Sequence, residues 1–227
     1  RDNPLMYVST WDNVEMVEIM ASKSPEKFIK AFNQKDVNHY APLKYAFELI
    51  NEETQTKQMV LTLLQCIGKD IEDINVRHIN SNDSLLMWAI KENYDDVISL
   101  LLENIDKIKI ELVNNRGQNV LMIASAYGRT DVLEKIKAAH TPEAFQKAAN
   151  TVDSNGWHAL LYTVLPLSSV ESRAKNVTCL IENTTRSSVN QTNNAGNSAF
   201  FEAIDKNELP LINSFLESLG WSDQKID

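Results

Sequence analysis

Two cysteines and four histidines are the side chains best suited to chemistry in this sequence of 227 residues. Cys179 and His158 could form a nucleophilic pair, but Cys179 lies in the helical run Val177–Ile181 and no neighbouring residue marks it as activated. His39 and His158 fall in turns, and His140 comes just before a strong helix start. These positions favour structural or solvated histidines over catalytic ones.

Motifs that carry catalysis are missing from the sequence. It contains no Gly-rich phosphate loop, no G-x-S-x-G, no H-E-x-x-H and no metal-ligand spacing. We therefore expect no enzyme activity in this segment, and no cofactor or metal. Cys66 and Cys179 lie far apart in apolar helical runs, which indicates two buried free thiols and favours a reducing compartment, the cytoplasm.

Charge and hydropathy narrow the classes of partner. The formal net charge is -9, and Lys and Arg form no dense run. Nucleic acid and anionic membrane surfaces are poor partners for such a chain, because both require clustered positive charge. No apolar run approaches the roughly 18 residues that span a bilayer.

Short amphipathic helices alternate with turns along the chain. Apolar residues recur at i, i+3 and i+4, as in the bursts Val97–Leu101 and Val132–Ile136. Asn, Asp and Gly cluster between such bursts, at Asn114–Gly117, Asp153–Gly156 and Asn193–Gly196. These residues tolerate positive φ, so the clusters predict tight turns. The pattern as a whole predicts an all-α fold.

The turns and helices repeat at regular intervals. Asn114–Ile136 reads N-N-R-G-Q-N-V-L-M-I-A-S-A-Y-G-R-T-D-V-L-E-K-I. This resembles the ankyrin pattern D-x-x-G-x-T-P-L-H-x-A-A-x-x-G-x-x-x-V-V-x-x-L, with Gly117 at the first Gly and Gly128 between the two helices. Asp12 and Asn93 replace that second Gly in other units. The first helices of the six units start at Asn3, Ala41, Ser84, Asn119, His158 and Ser198.

The resemblance implies an architecture. It predicts one ankyrin-repeat domain over residues 1–227, an all-α solenoid of about six helix-turn-helix repeats. Each repeat has a turn, an inner helix and an outer helix, and the stack has a concave side of turns and inner helices. Leu5, Leu43 and their equivalents should face the neighbouring repeat. The repeats lie near 1–35, 36–78, 79–113, 114–152, 153–192 and 193–227.

A second, longer period indicates a duplicated block of three repeats. The segment S-P-E-K-F-I-K-A-F-N-Q-K-D-V-N starts at Ser24, and T-P-E-A-F-Q-K-A-A-N-T-V-D-S-N starts at Thr141. Each opens with an N-cap residue, Pro and Glu, which predicts extra short helices over Pro25–Phe32 and Pro142–Ala149. The second and fifth repeats share long links between their helices, which we expect at 51–57 and 167–175.

The family resemblance also predicts where a partner would bind. Contacts in such stacks usually come from turn tips and from the exposed ends of inner helices. Asp83 and Gln118 are among the turn tips. The candidate partner-binding residues are Trp11, Tyr40, Lys91, Glu92, Arg116, Tyr127 and Trp157. Aromatic and Arg side chains are typical interface anchors, and the alternative for the aromatics is local packing on a neighbouring turn.

Two functions follow from this interpretation. The first is a protein–protein interaction module that binds a partner on its concave face. Its irregular repeats and inserted helices are similar to ankyrin proteins of intracellular bacteria, so an effector acting on host proteins in the host cytoplasm is one form of this function. The alternative is a targeting or regulatory part of a larger enzyme whose catalytic domain lies outside this segment.

Overall fold

Helices form nearly all of the regular structure in the computed structural model, which describes residues 3–48, 57–182 and 189–220. The chain divides into two compact units, 1–109 and 110–227. The helices of the first unit are α1 Pro4–Thr10, α2 Val14–Lys23, α3 Pro25–Asn33, α4 Pro42–Glu48, α5 Lys57–Ile67, α6 Leu85–Lys91 and α7 Asp95–Leu102. Those of the second are α8 Val120–Ala126, α9 Thr130–Ala139, α10 Pro142–Asn150, α11 Ala159–Tyr162, α12 Val170–Ile181, α13 Ala199–Asp205 and α14 Leu209–Ser218.

Each repeat pairs a short inner helix with an outer helix. In the first unit α1 packs on α4, and α2 on α5; in the second, α8 packs on α11, and α12 on α14. This is stacking of inner helix on inner helix and outer on outer, as the repeat pattern predicts. In the part of the chain that the structure describes, no helix has the length and apolar content needed to cross a membrane.

Left-handed residues separate inner from outer helices. Gly128 has φ 67°, and the residues that replace it, Asp12 and Asn93, have φ 52° and 56°. Asn207 does the same in the last repeat, with φ 54°. Short polar side chains can adopt this conformation because they bond locally to the backbone. The prediction that Asp12 and Asn93 stand in for the glycine is therefore confirmed.

Within each unit, the core lies between the helices of successive repeats. Leu5, Leu43 and Leu121 are completely buried, in agreement with the prediction that they face a neighbouring repeat. The alanines of the inner helices, including Ala46 and Ala124, are also completely buried. A methyl side chain at this position lets two helices approach closely without leaving a void.

The insertions follow the predicted pattern with one exception. Both extra helices are present, as α3 and α10, so that prediction is confirmed. The long link of the fifth repeat is wrong in its position, because it covers 163–169 and residues 170–175 belong to α12. Ser169 caps that helix and accepts a hydrogen bond from Ser172 N–H at 3.2 Å, which moves its start forward. Residues 51–56 of the other link lie outside the described residues.

Candidate functional site

Four of the turns that precede inner helices share one hydrogen-bonding pattern. The Asp153 side chain accepts from the backbone N–H groups of Asn155 and Trp157, both at 2.8 Å. Asp36 accepts in the same way from Asn38 and Tyr40. The same pattern recurs at Asn114 and Asn193. A side chain that satisfies two turn N–H groups fixes the tip, so the residues there are held in place before any partner arrives.

Tyr40 and Trp157 stand last in two of these turns. Both are half-buried, and their rings pack edge-on against Tyr45 and Tyr162, with ring centroids 5.8 and 5.7 Å apart. The Lys44 ammonium lies 5.2 Å from the Tyr40 ring centroid. These two candidates therefore contact the scaffold on one side and solvent on the other.

The end of α1 exposes the most aromatic surface among the predicted site residues. Trp11 is 79% exposed, and its backbone N–H donates to the Tyr7 carbonyl at 3.1 Å. Tyr7, one helical turn earlier, is 51% exposed, and Val37 of the next turn is 91% exposed. Neither Tyr7 nor Val37 was among the predicted contacts, because the repeat pattern assigns tip positions and does not report side-chain exposure.

Lys91 and Glu92 end the inner helix of the third repeat. The Lys91 ammonium lies 2.8 Å from the Asp83 carboxylate, and Glu92 is exposed. Asp83 is buried, 6% exposed, so its placement as an open tip residue was wrong. The ion pair with Lys91 covers it and ties the turn to the helix end.

Arg116 and Tyr127 lie in the fourth repeat. Arg116 is exposed, and its carbonyl accepts from Ser154 N–H at 3.2 Å, which links successive turns. Tyr127 is half-buried at the C-cap of α8. Both lie in the second unit, as does Trp157, whereas Trp11, Tyr40, Lys91 and Glu92 belong to the first.

A cleft of about 440 Å³ opens in the first unit beside α1. Asn3, Met6, Tyr7 and Thr10 line one side, and the segment 34–37 with Tyr45 lines the other. The Tyr45 hydroxyl donates to the Asp36 carboxylate at 2.5 Å. This hydrogen bond lowers the pKa of Asp36 and raises that of Tyr45, so the carboxylate is ionised at neutral pH.

The second unit holds the same Tyr–Asp pair in a closed setting. The Tyr162 hydroxyl donates to Asp153 at 2.7 Å and accepts from the Gln118 side-chain amide, also at 2.7 Å. Tyr162 is 5% exposed and Gln118 9%. Burial raises the pKa of Tyr162, and the hydrogen bond from Gln118 opposes that effect. The expectation that Gln118 is an open tip residue was wrong, because its side chain turns inward to this hydroxyl.

The residues considered for nucleophilic chemistry lack activation. Neither Cys66 nor Cys179 forms a disulfide; Cys179 is buried as predicted, but Cys66 is half-buried. Burial raises the pKa of both thiols and lowers that of His158, whose Nε2 lies 3.3 Å from the Gln191 carbonyl. These directions oppose the charged forms that a thiolate–imidazolium pair requires. Within 3–48, 57–182 and 189–220, no cluster of His, Cys, Asp or Glu is suited to a metal ion.

Comparison with known proteins identifies the repeats. Residues 50–146 match the family model for ankyrin repeats in three copies. A crystal structure of an ankyrin repeat domain from Acinetobacter baumannii is 16% identical, covers 96% of this chain and 98% of its own, and superposes with a TM-score of 0.60. Residues 50–146 therefore carry ankyrin repeats, and the chain has the ankyrin-repeat fold.

Two further structures share the ankyrin-repeat fold of this chain. EF0377, an ankyrin repeat protein, is 17% identical over 94% of this chain and 96% of its own, with a TM-score of 0.62. A chain from the complex of the Bd0816 predatory endopeptidase of Bdellovibrio bacteriovorus with the immunity protein Bd3460 is 16% identical, covers 95% and 98%, and gives 0.57. No curated protein matches the sequence. Ankyrin repeats typically form non-catalytic scaffolds that bind other proteins.

Proposed function

We propose that this ankyrin-repeat chain is a protein-binding module whose partner contacts the turn tips and inner-helix ends, the face that the family resemblance predicts to be concave. The observation that carries the proposal is the exposure of Trp11 and Tyr7 at the end of α1, with Val37 beside the cleft. Tryptophan and tyrosine are enriched among residues that dominate binding energy. At these positions they do not stabilise the core.

The other candidate residues contribute in different ways. Arg116 is exposed on a turn whose backbone is fixed by Asn114, so little ordering accompanies its binding. Tyr40, Tyr127 and Trp157 are half-buried and offer part of each ring to a partner. In the third repeat, the ion-paired Lys91 and the exposed Glu92 suit the polar rim that surrounds interface anchors.

The finer form of the proposal is a bacterial effector that binds a host protein in the host cytoplasm. The inserted helices α3 and α10 support it, because such insertions resemble those of ankyrin proteins from intracellular bacteria. A translocation reporter fused to the full protein tests this form. Reporter signal is expected in the cytoplasm of infected cells. If the bacteria make the fusion at normal levels and the host cytoplasm shows no signal, the effector role is contradicted.

Affinity measurements with single substitutions test the binding face. The partner is recovered by pull-down from cell extract, purified, and titrated against Trp11→Ala and Tyr127→Ala. Truncating a central anchor should weaken binding by about 2 kcal/mol and leave thermal unfolding unchanged. The control is Ile19→Ala, since Ile19 is 38% exposed on the outer helix α2. Normal binding by both aromatic variants, with weakened binding by the control, would place the interface on the outer helices.

A further inference from the structure

The cleft beside α1 has a filled counterpart in the second unit, which shows what kind of group binds at such a site. In each unit a tyrosine hydroxyl donates to the aspartate of the turn before its helix, as Tyr45 to Asp36 and Tyr162 to Asp153. In the second unit the residue before the N-cap of α8, Gln118, inserts its amide and donates to Tyr162. The residue at the same position before α1 is Asp2, and a carboxylate cannot donate this hydrogen bond.

In the first unit, Tyr45 and Asp36 can therefore form further hydrogen bonds at the cleft. Among the described residues, Asp36 is the one hydrogen-bond partner of the Tyr45 hydroxyl, which can still accept a donor. Asp36 Oδ2 accepts from Tyr45, and a carboxylate oxygen can accept two hydrogen bonds. The nearby Asn38 side chain also lowers the pKa of Asp36. An occupant of the cleft would thus meet two acceptors, one of them charged.

The electrostatics of the counterpart indicate the charge of that occupant. Arg116, two residues before Gln118, acts on Tyr162 as a nearby positive charge. The turn of the second unit thus supplies both an N–H donor and a cation to its Tyr–Asp pair. The ring of Tyr7, which lines the open cleft, is 51% exposed and offers a surface on which a planar cation can stack.

We propose that this cleft binds an arginine side chain of the partner protein, with Tyr45 and Asp36 accepting guanidinium hydrogen bonds and Tyr7 stacking on the guanidinium plane. Guanidinium carries five N–H donors in one plane, so it can serve both acceptors at once. The net charge of -9 favours the approach of a basic segment. This inference rests on the proposed function, and it specifies the chemistry that the partner presents.

Matched small probes test the site directly. Acetyl-arginine amide and acetyl-citrulline amide are titrated into the protein and followed by two-dimensional NMR. The ureido group of citrulline has the same planar shape, keeps three of the five N–H donors and lacks the charge. We expect arginine to shift the resonances of Tyr7, Thr10 and Tyr45 and to bind about tenfold more tightly than citrulline. Equal binding of the two probes, shifts outside the cleft, or no arginine binding would overturn the inference.

Two variants distinguish the open cleft from its closed counterpart. Asp36→Asn removes the charge and keeps the turn, because Asn114 and Asn193 form the same turn hydrogen bonds in this chain. It should abolish the preference for arginine over citrulline. Asp153→Asn, at the equivalent residue beside buried Tyr162, should leave probe binding unchanged. If Asp153→Asn weakens probe binding as much as Asp36→Asn does, the probe does not bind at the cleft beside α1.

The affinity of the same variants for the partner protein distinguishes this inference from the proposed function. Asp36→Asn should weaken partner binding about tenfold, whereas Asp153→Asn should not. If the partner binds Asp36→Asn normally but loses affinity for Trp11→Ala, the arginine inference fails and the proposed function stands. If no partner contacts the turn face, but the arginine probe still binds with the expected preference, the proposed function fails and the cleft remains an arginine site.

Discussion

The side-chain amide of Asn119 donates to the carbonyl oxygen of Ala148 at 2.7 Å. Its oxygen accepts from Met122 N–H at 3.0 Å, so one buried residue caps α8 and also holds the end of α10. Asn3 makes the corresponding pair of contacts in the first unit, with Leu5 N–H and the Ala31 carbonyl. An asparagine at the equivalent position therefore fixes the inserted helix to the inner helix in each block.

Substitutions of Asn119 should separate the stabilisation by the helix cap from the stabilisation by the hydrogen bond to Ala148. Asn119→Ser keeps a capping oxygen and loses the bond to Ala148, which should reduce the free energy of unfolding by about 1 kcal/mol. Asn119→Ala loses both contacts and should reduce it by about 2 to 3 kcal/mol. Ser84→Ala is the control, since Ser84 caps α6 through Met87 N–H, and it should cost about 1 kcal/mol. Urea unfolding followed by circular dichroism measures these values; an unchanged free energy of unfolding for Asn119→Ser would show that the hydrogen bond to Ala148 contributes nothing.

Local chemistry explains why the helices and turns could be predicted. Pro25 and Pro142 each follow a residue suited to an N-cap, so the inserted helices could be recognised without any tertiary contact. Asp12 and Asn93 could be assigned to the left-handed position because few other side chains tolerate it. The proposal of a duplicated block also predicts that 3–104 superposes on 119–217 better than after a shift by one repeat, which a structural superposition can test.

The exposure of site residues could not be predicted in the same way. Counting along the repeat assigns Gln118 and Arg116 alike to a turn tip, yet Gln118 is buried and Arg116 exposed. The difference arises from Tyr162, which lies 44 residues from Gln118 and draws its amide inward. The open cleft at Tyr45 was missed for the same reason, because its shape depends on which side chain a separate turn provides.

A buried ion pair should stabilise the junction of the fifth and sixth repeats. Arg173 donates to both Glu208 carboxylate oxygens, at 2.7 and 3.1 Å, and its side chain is 4% exposed. Glu208→Gln leaves the guanidinium buried without its counter-charge, so the free energy of unfolding should fall by about 3 kcal/mol or more. Glu182→Gln breaks the exposed pair with Lys137 and should cost less than about 1 kcal/mol. Similar losses from the two substitutions in urea titrations would contradict a buried role for Arg173.

Acid should destabilise the protein partly through His158. Burial lowers its pKa in the folded state, and it is 1% exposed. Below a pH of about 6.5 the unfolded chain binds a proton that the folded chain does not, so stability is lost as the pH falls toward the folded pKa. The free-energy difference between the wild type and His158→Gln should therefore shrink between pH 7.5 and 5.0. A His158→Gln difference that is independent of pH would show that His158 does not titrate in this window.

Equivalent positions on two inner helices should respond differently to truncation. Leu161 stands three residues after the N-cap of its inner helix and is completely buried, whereas Phe201, at the same place in the inner helix of the last repeat, is 53% exposed. Helix α13, which carries Phe201, packs on α11. None of the described residues covers the Phe201 ring as completely as the Leu161 side chain is covered. Leu161→Ala should thus lower the free energy of unfolding by about 2 to 5 kcal/mol, because it removes packed methyl groups and leaves a cavity.

Phe201→Ala should have a much smaller effect, under about 1 kcal/mol, because the ring is already largely in water. Ile204, one turn later and 50% exposed, provides a second exposed site, and Ile204→Ala should behave like Phe201→Ala. Urea titration of the three variants, read by both circular dichroism and tryptophan fluorescence, compares them in one experiment. If Phe201→Ala destabilises the protein as much as Leu161→Ala does, the ring is covered in solution, and the open face of the last repeat does not exist.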